Sequence, residues 1–66
     1  MKKIKTLKEI KEGGNFYLKV NKKYLLYTLV SYGEKTMVIG QRFSDNITVP
    51  LNALNSFIKK GQIYIE

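Results

Sequence analysis

Residues 15–43 read NFYLKVNKKYLLYTLVSYGEKTMVIGQRF, and the fold turns on how this stretch divides. It is dense in Tyr, Phe, Val, Ile and Thr, the residues that suit a pleated, half-buried surface. Turn formers interrupt it only at Asn21-Lys22-Lys23 and Gly33-Glu34. Three strands are therefore predicted, over residues 15–20, 23–32 and 35–43, joined as two successive antiparallel hairpins. Side chains alternate across a strand, so loop length decides which residues share a face. With a three-residue first loop (21–23) and a two-residue second loop (33–34), Phe16, Leu18, Val20, Tyr24, Leu26, Val30, Met37, Ile39 and Phe43 fall on one side. Tyr17, Lys19, Leu25, Tyr27, Leu29, Ser31, Thr36, Val38 and Arg42 fall on the other. A two-residue first loop mixes apolar and basic groups on both sides, which makes the three-residue loop the expected one.

Outward from this stretch the pattern becomes helical. Thr6-Leu7-Lys8-Glu9 has the form of a capping box and opens a short helix over 6–12. Ile4, Leu7 and Ile10 give that helix a narrow apolar stripe, and Gly13-Gly14 stops it. Downstream, a turn at Ser44-Asp45-Asn46 leads into a short strand, Ile47-Thr48-Val49. Pro50 then stands at a first helical position, where its missing N–H costs nothing. Leu51, Leu54, Phe57 and Ile58 recur at helical spacing, Lys59 and Lys60 complement the C-terminal dipole, and Gly61 ends the helix. Ile63-Tyr64-Ile65 reads as a last strand at a sheet edge. The expected class is α+β: a small curled antiparallel sheet of four to five strands with a C-terminal helix. The alternative is an SH3-like small barrel, because several strands are apolar on both sides.

Composition bounds what such a chain can be. Its 66 residues contain no repeat or linker and make a single domain, 1–66. A chain this short buries only about 60% of its unfolded surface. It has no cysteine and no histidine, which removes disulfide staples and thiolate or imidazole metal ligands. With 44% hydrophobic and 12% aromatic residues it is nevertheless rich enough in apolar groups to fold. No apolar run approaches the roughly 20 residues of a membrane span, and Met1-Lys2-Lys3 leads into alternating charges rather than an apolar signal core, so a cytoplasmic location is expected, with no membrane partner. The formal charge of +7 favours acidic partners. Eleven of the twelve basic residues are lysine, with Arg42 alone. That bias, with the abundance of Ile, Asn and Tyr, suits an AT-rich genome such as that of a low-GC bacterium or its phage.

Catalysis is what the residues oppose most firmly. The common general bases and nucleophiles are missing. The acids Glu9, Glu12, Glu34, Asp45 and Glu66 form no dyad by spacing, and Gly13-Gly14 lacks the Gly-Lys-Ser/Thr of a phosphate loop. Neither an enzyme nor a cofactor is expected.

The informative constellation is Tyr17, Lys19, Tyr27 and Arg42, expected as near neighbours on three adjacent strands, with Lys22 and Lys23 at the loop tip. Aromatic and basic groups interleaved on a sheet suit nucleic acid: rings stack on bases for about 1–3 kcal/mol each, while lysines pair with phosphates. Single- and double-stranded nucleic acid are both candidate partners, without sequence-specific readout, since one arginine is little for bidentate base contacts. The N-terminal run Lys2, Lys3, Lys5, Lys8 and Lys11 reads as the solvated side of an amphipathic segment. A competing expectation follows from Leu25, Leu29 and Val38 on the same face. An apolar face of that kind would be covered by barrel curvature, by the N-terminal segment, by a homodimer partner, or by an acidic host protein, as for a protein-binding regulator or inhibitor of phage or mobile-element type.

Overall fold

A computed structural model of the chain describes residues 1–41 and 44–66. The described residues form one antiparallel open sheet of six strands: β1 (Lys2–Lys3), β2 (Asn15–Val20), β3 (Lys23–Tyr32), β4 (Thr36–Gln41), β5 (Ser44–Pro50) and β6 (Ile63–Ile65). Their order across the sheet is β1-β6-β2-β3-β4-β5. One helix, α1 (Leu51–Lys59), packs on one face. The α+β class is thus as expected, while the barrel does not form, because β1 and β5 stand at opposite edges. The sheet has one strand more than the four to five expected. That strand is β1, two lysines with no apolar signature, which pair as Lys2↔Ile65 and Lys3↔Tyr64. Consequently β6 is not an edge strand but lies between β1 and β2.

Local chemistry sets the ends of the helices. Pro50 is extended at ψ 141° and precedes α1 rather than opening it, and the Leu51 N–H donates to Lys35 O at 2.9 Å. At the other end Gly61 has φ +72°, and the Gln62 N–H reaches back to Phe57 O at 3.0 Å, a left-handed glycine closure. The expected helix over 6–12 is only a 3-10 turn, Leu7–Glu9. The Glu9 carboxylate accepts from the Lys5 N–H at 2.6 Å and the Thr6 N–H at 3.0 Å, and these bonds hold its pKa below the ordinary value. The turn stops early because Ile10 is needed in the core and the next glycines are needed in the sheet. Gly13, at φ +80°, donates to Leu29 O at 2.7 Å, and Leu29 donates to Gly14 O at 2.9 Å.

The register differs from the expected one by a single residue in the first hairpin. Val20 pairs with Lys23, so the loop has two residues, and Asn21 takes φ +57°, a left-handed conformation that asparagine tolerates better than most. Every side chain of β3 from Tyr24 to Leu29 therefore changes side. Leu25, Tyr27 and Leu29 join Phe16 and Leu18 on the helix side, while Tyr24, Leu26 and Thr28 join Tyr17 and Lys19 on the other. The second hairpin pairs Tyr32 with Met37 rather than with Lys35 as a 33–34 loop requires, an even shift that keeps the sides. A bulge between Leu29 and Ser31 sets Leu29 opposite Ile39, so that Met37 and Ile39 lie on the Phe16 side as expected.

The core that results is Ile4, Ile10, Phe16, Leu29, Met37, Ile39, Leu54, Ile58 and Ile63. Both expected helical stripes contribute to it: Ile4 and Ile10 from the N-terminal segment, Leu54 and Ile58 from α1. The N-terminal turn is also tied down by Tyr32, whose hydroxyl lies 2.9 Å from both Leu7 O and Ile10 O. Burial, then the nearby charge of Glu12, raises the Tyr32 pKa above its ordinary value of 10.0. Folding thus favours the neutral phenol. Its contribution is complete below the unfolded pKa and is lost as pH rises through the folded one. Replacing Tyr32 with Phe should remove about 1 kcal/mol, a fall in Tm of about 4–8 °C for a domain of this size. The gap between the two proteins should narrow above pH 10.0. A Y32F melting curve superimposable on the parent at neutral pH would rule this tether out.

Candidate nucleic-acid interface on the helix-free face

Among the described residues α1 covers one side of the sheet and the other side carries no layer. Directly opposed residues of an antiparallel pair point to the same side, so the ladder fixes what stands on the uncovered side. Lys3 pairs with Tyr64, Tyr64 with Tyr17, and Tyr17 with Leu26, which makes one row across β1, β6, β2 and β3. The next row toward the hairpin tip is Lys19 and Tyr24.

Contacts between these rows are direct. The rings of Tyr24 and Tyr64 meet edge to face with centroids 5.5 Å apart, and Lys19 Nζ lies 5.6 Å from the Tyr24 centroid. Tyr24 is 42% exposed, with Leu26 at 39% beside it. Tyr17 donates its hydroxyl to Glu66 at 2.7 Å, and that bond, together with partial burial and the carboxylate charge, raises the Tyr17 pKa. The bond pins the ring at the margin of the face and places one negative group there. Further along, Gly40 lies opposite Thr28, and a side chain at residue 40 would meet Asn46 Oδ1 at 3.2 Å and Val30 at 3.6 Å. Glycine there keeps the face low.

Charge gathers at the tip end of this face. Lys22 sits in the two-residue loop and Lys23 begins β3, both exposed. Lys3 folds over Gly61, its Nζ 3.4 Å from where a Cβ of residue 61 would stand. Gln62 joins β2 there, because the Lys19 N–H donates to Gln62 O at 2.7 Å and Gln62 Nε2 donates to Lys19 O at 3.2 Å. Lys60 follows α1 at this same end. Among the described residues the one ion pair is Lys2–Glu9, at 3.3 Å.

Of the residues expected at the site, Tyr17 and Lys19 are brought together, with Lys22 and Lys23 at the adjoining tip. Tyr27 is not with them. It lies on the helix side, half-buried and stacked on Phe16 at 5.6 Å between centroids, as the two-residue loop requires. Leu25 and Leu29 leave this face with it, whereas Val38 stays, opposite Ser31 and Thr48. Arg42, like Phe43, lies outside the described residues. Three members were missed in sequence. The two-residue loop brings Tyr24 to this face, while Tyr64 and Lys3 escape sequence reading because β1 gives no strand signal and Ile63-Tyr64-Ile65 reads as an edge strand. The alternation Ile63-Tyr64-Ile65 was the available sign that Tyr64 faces away from the core.

No family model, no characterised protein and no solved structure matches the chain, so the roles of these residues rest on their geometry alone.

Proposed function

We propose that this chain is a small basic nucleic-acid-binding module that holds a single strand on its helix-free face. The observation that carries the reading is the meeting of Tyr17, Tyr24 and Tyr64 with Lys3 and Lys19 on a sheet face that no layer of the described residues covers. Rings on a flat surface offer stacking to any base, and the flanking ammonium groups offer phosphate contacts without fixing sequence. Duplex readout has less support. α1 turns Asn52, Asn55 and Ser56 to solvent and carries a lysine only in its last turn, so it lacks the basic side chains of a helix that enters a major groove.

Titrating labelled single-stranded and duplex oligonucleotides at two salt concentrations tests the proposal. Single strands should bind at low salt, and affinity should fall with a log–log slope of about −0.7 per phosphate neutralised, or about −3 if Lys3, Lys19, Lys22 and Lys23 all engage. Absence of binding at low salt overturns the reading.

One observation favours a second reading, a regulator that docks an acidic protein. Ile47, 39% exposed on the helix side, lines an apolar crevice of about 150 Å³ with Leu18, Tyr27, Ala53 and Phe57, and Leu25, 41% exposed on the same side, pairs with Leu18. In that case a stoichiometric acidic partner survives nuclease treatment during co-purification and is lost on Leu25→Lys, while oligonucleotide affinity is unchanged.

A further inference from the structure

Among the described residues the outer edges of β1 and β5 are unpartnered, and that of β5 is much the longer. β5 ends the sheet on the side away from β1, and Ser44 through Thr48 are all exposed. The Leu51 N–H donates to Lys35 O in phase with the pairs Thr36↔Pro50 and Met37↔Val49. Backbone groups alternate along a strand, so Val49 and Ile47 turn theirs inward to β4, whereas Thr48 turns its N–H and C=O out to the open edge. Pro50, the next outward position, has no N–H to offer. Thr48 is therefore the centre of the available edge. Ile47 and Val49 flank it, both on the helix side, Ile47 exposed and Val49 half-buried.

We infer that this edge pairs with the same edge of a second copy, antiparallel about a two-fold axis at Thr48. Thr48 of each copy would donate to and accept from Thr48 of the other. Ile47 would face Val49 of the second copy across the axis, twice by symmetry. An isologous contact needs such a self-complementary patch, and here an apolar residue meets an apolar one while threonine meets threonine.

Charge selects the occupant. A chain of net charge +7 repels its own copies except where its surface is locally neutral. Residues 36–58 contain no lysine and carry one basic and one acidic group, Arg42 and Asp45, which leaves eleven lysines against four glutamates elsewhere. β5 lies within that neutral stretch. The lysines of β1 and β2 stand three or more strands away, about 14 Å at the usual strand spacing and beyond the screening length of about 8 Å, and Lys23 of β3 stands two strands away. The nearest lysines, Lys35 and Lys59, border the Pro50–Leu51 end of β5 rather than its Ser44–Val49 edge. A polyanion or an acidic protein is drawn first to the clustered lysines of β1, β2 and the hairpin tip, whereas a second copy meets no lysine within β5, and pairing about Thr48 sets the Lys35 end of each copy toward Asp45 of the other. Pairing in this way would also join the two helix-free faces into one continuous surface on the same side. The inference stands apart from the nucleic-acid reading, since a monomer could still bind through its own rings and lysines.

Sedimentation velocity over a range of concentrations up to millimolar chain tests it. The parent should show twice the 7.7 kDa mass of one chain. Thr48→Pro removes the outward donor while touching no bond to β4, and should sediment as a single chain with its far-UV spectrum retained. Ile47→Lys sets a charge against Val49 of the second copy and should do the same. If T48P fails to fold, I47K decides alone. A parent of single-chain mass at millimolar concentration, or an I47K variant that still sediments as two chains, overturns the inference.

Discussion

Leu29→Ala is expected to leave the chain largely unfolded at 25 °C. Leu29 is 0% exposed, sits between Phe16 and Ile39 on the helix side of the sheet, and has its backbone bound to Gly13 and Gly14. Removing a buried leucine costs about 2–5 kcal/mol, because the lost transfer energy is joined by the cavity left behind. A 66-residue chain with no disulfide has little more than that to lose, since a core of this size supplies about 3–5 kcal/mol of net stability. Leu26, three positions away on the same strand, is 39% exposed on the opposite face, and Leu26→Ala should cost well under half as much. The pair measures the register directly, because a slip of one residue in the first hairpin exchanges the two roles. Urea denaturation of both variants reads the result. A stable L29A beside a collapsed L26A would show that the first hairpin has three loop residues rather than two.

That exchange of roles explains how the sequence could reveal the fold and yet misplace the site. The class, the two hairpins, α1 and the stripes of Ile4, Ile10, Leu54 and Ile58 were legible, because apolar periodicity and the glycines at 13 and 61 all pointed one way. Register was not. β3 is apolar on both sides, with Tyr24, Leu25, Leu26, Tyr27, Leu29 and Val30 nearly unbroken, so alternation could not select a face. The choice then fell to the loop, and Asn21-Lys22 lacks the glycine that marks most two-residue hairpins. Met37 and Ile39 keep their expected side because the bulge at Leu29/Ser31 undoes for β4 what the short loop does to β3.

The site followed the same logic. An aromatic and basic face was foreseeable because Tyr17 and Lys19 alternate with Phe16 and Leu18, and that half survives intact. Tyr27 exchanges places with Tyr24 and stacks half-buried on the core ring of Phe16. Lys3 and Tyr64 come from the two ends of the chain, and only the pairing of β1 with β6 brings them beside β2. A two-residue strand made of lysines carries no local propensity for a sheet. Ile4 anchors it by burying its side chain and donating its N–H to Ile63 O at 3.0 Å.

Replacing Tyr24 and Tyr64 together with alanine should weaken single-strand binding by at least about thirty-fold, because two stacking rings at about 1–3 kcal/mol each are removed. The fold should survive. Both rings stand on the helix-free side, where their edge-to-face contact contributes about 0.5–1.5 kcal/mol, a fraction of what Leu29 supplies. Lys22→Ala with Lys23→Ala makes the comparison, since those ammonium groups are exposed at the hairpin tip and would contact phosphate alone. That pair should weaken single strands and duplex by similar factors and reduce the salt slope by about 1.4, whereas the tyrosine pair should leave the slope unchanged and barely affect the duplex. The difference between the two variants separates stacking from charge. If Y24A/Y64A binds single strands as well as the parent does, with its fold intact, then lysine is the whole source of affinity and the tyrosines are packing, with Lys19 held over Tyr24 for structure rather than for a phosphate.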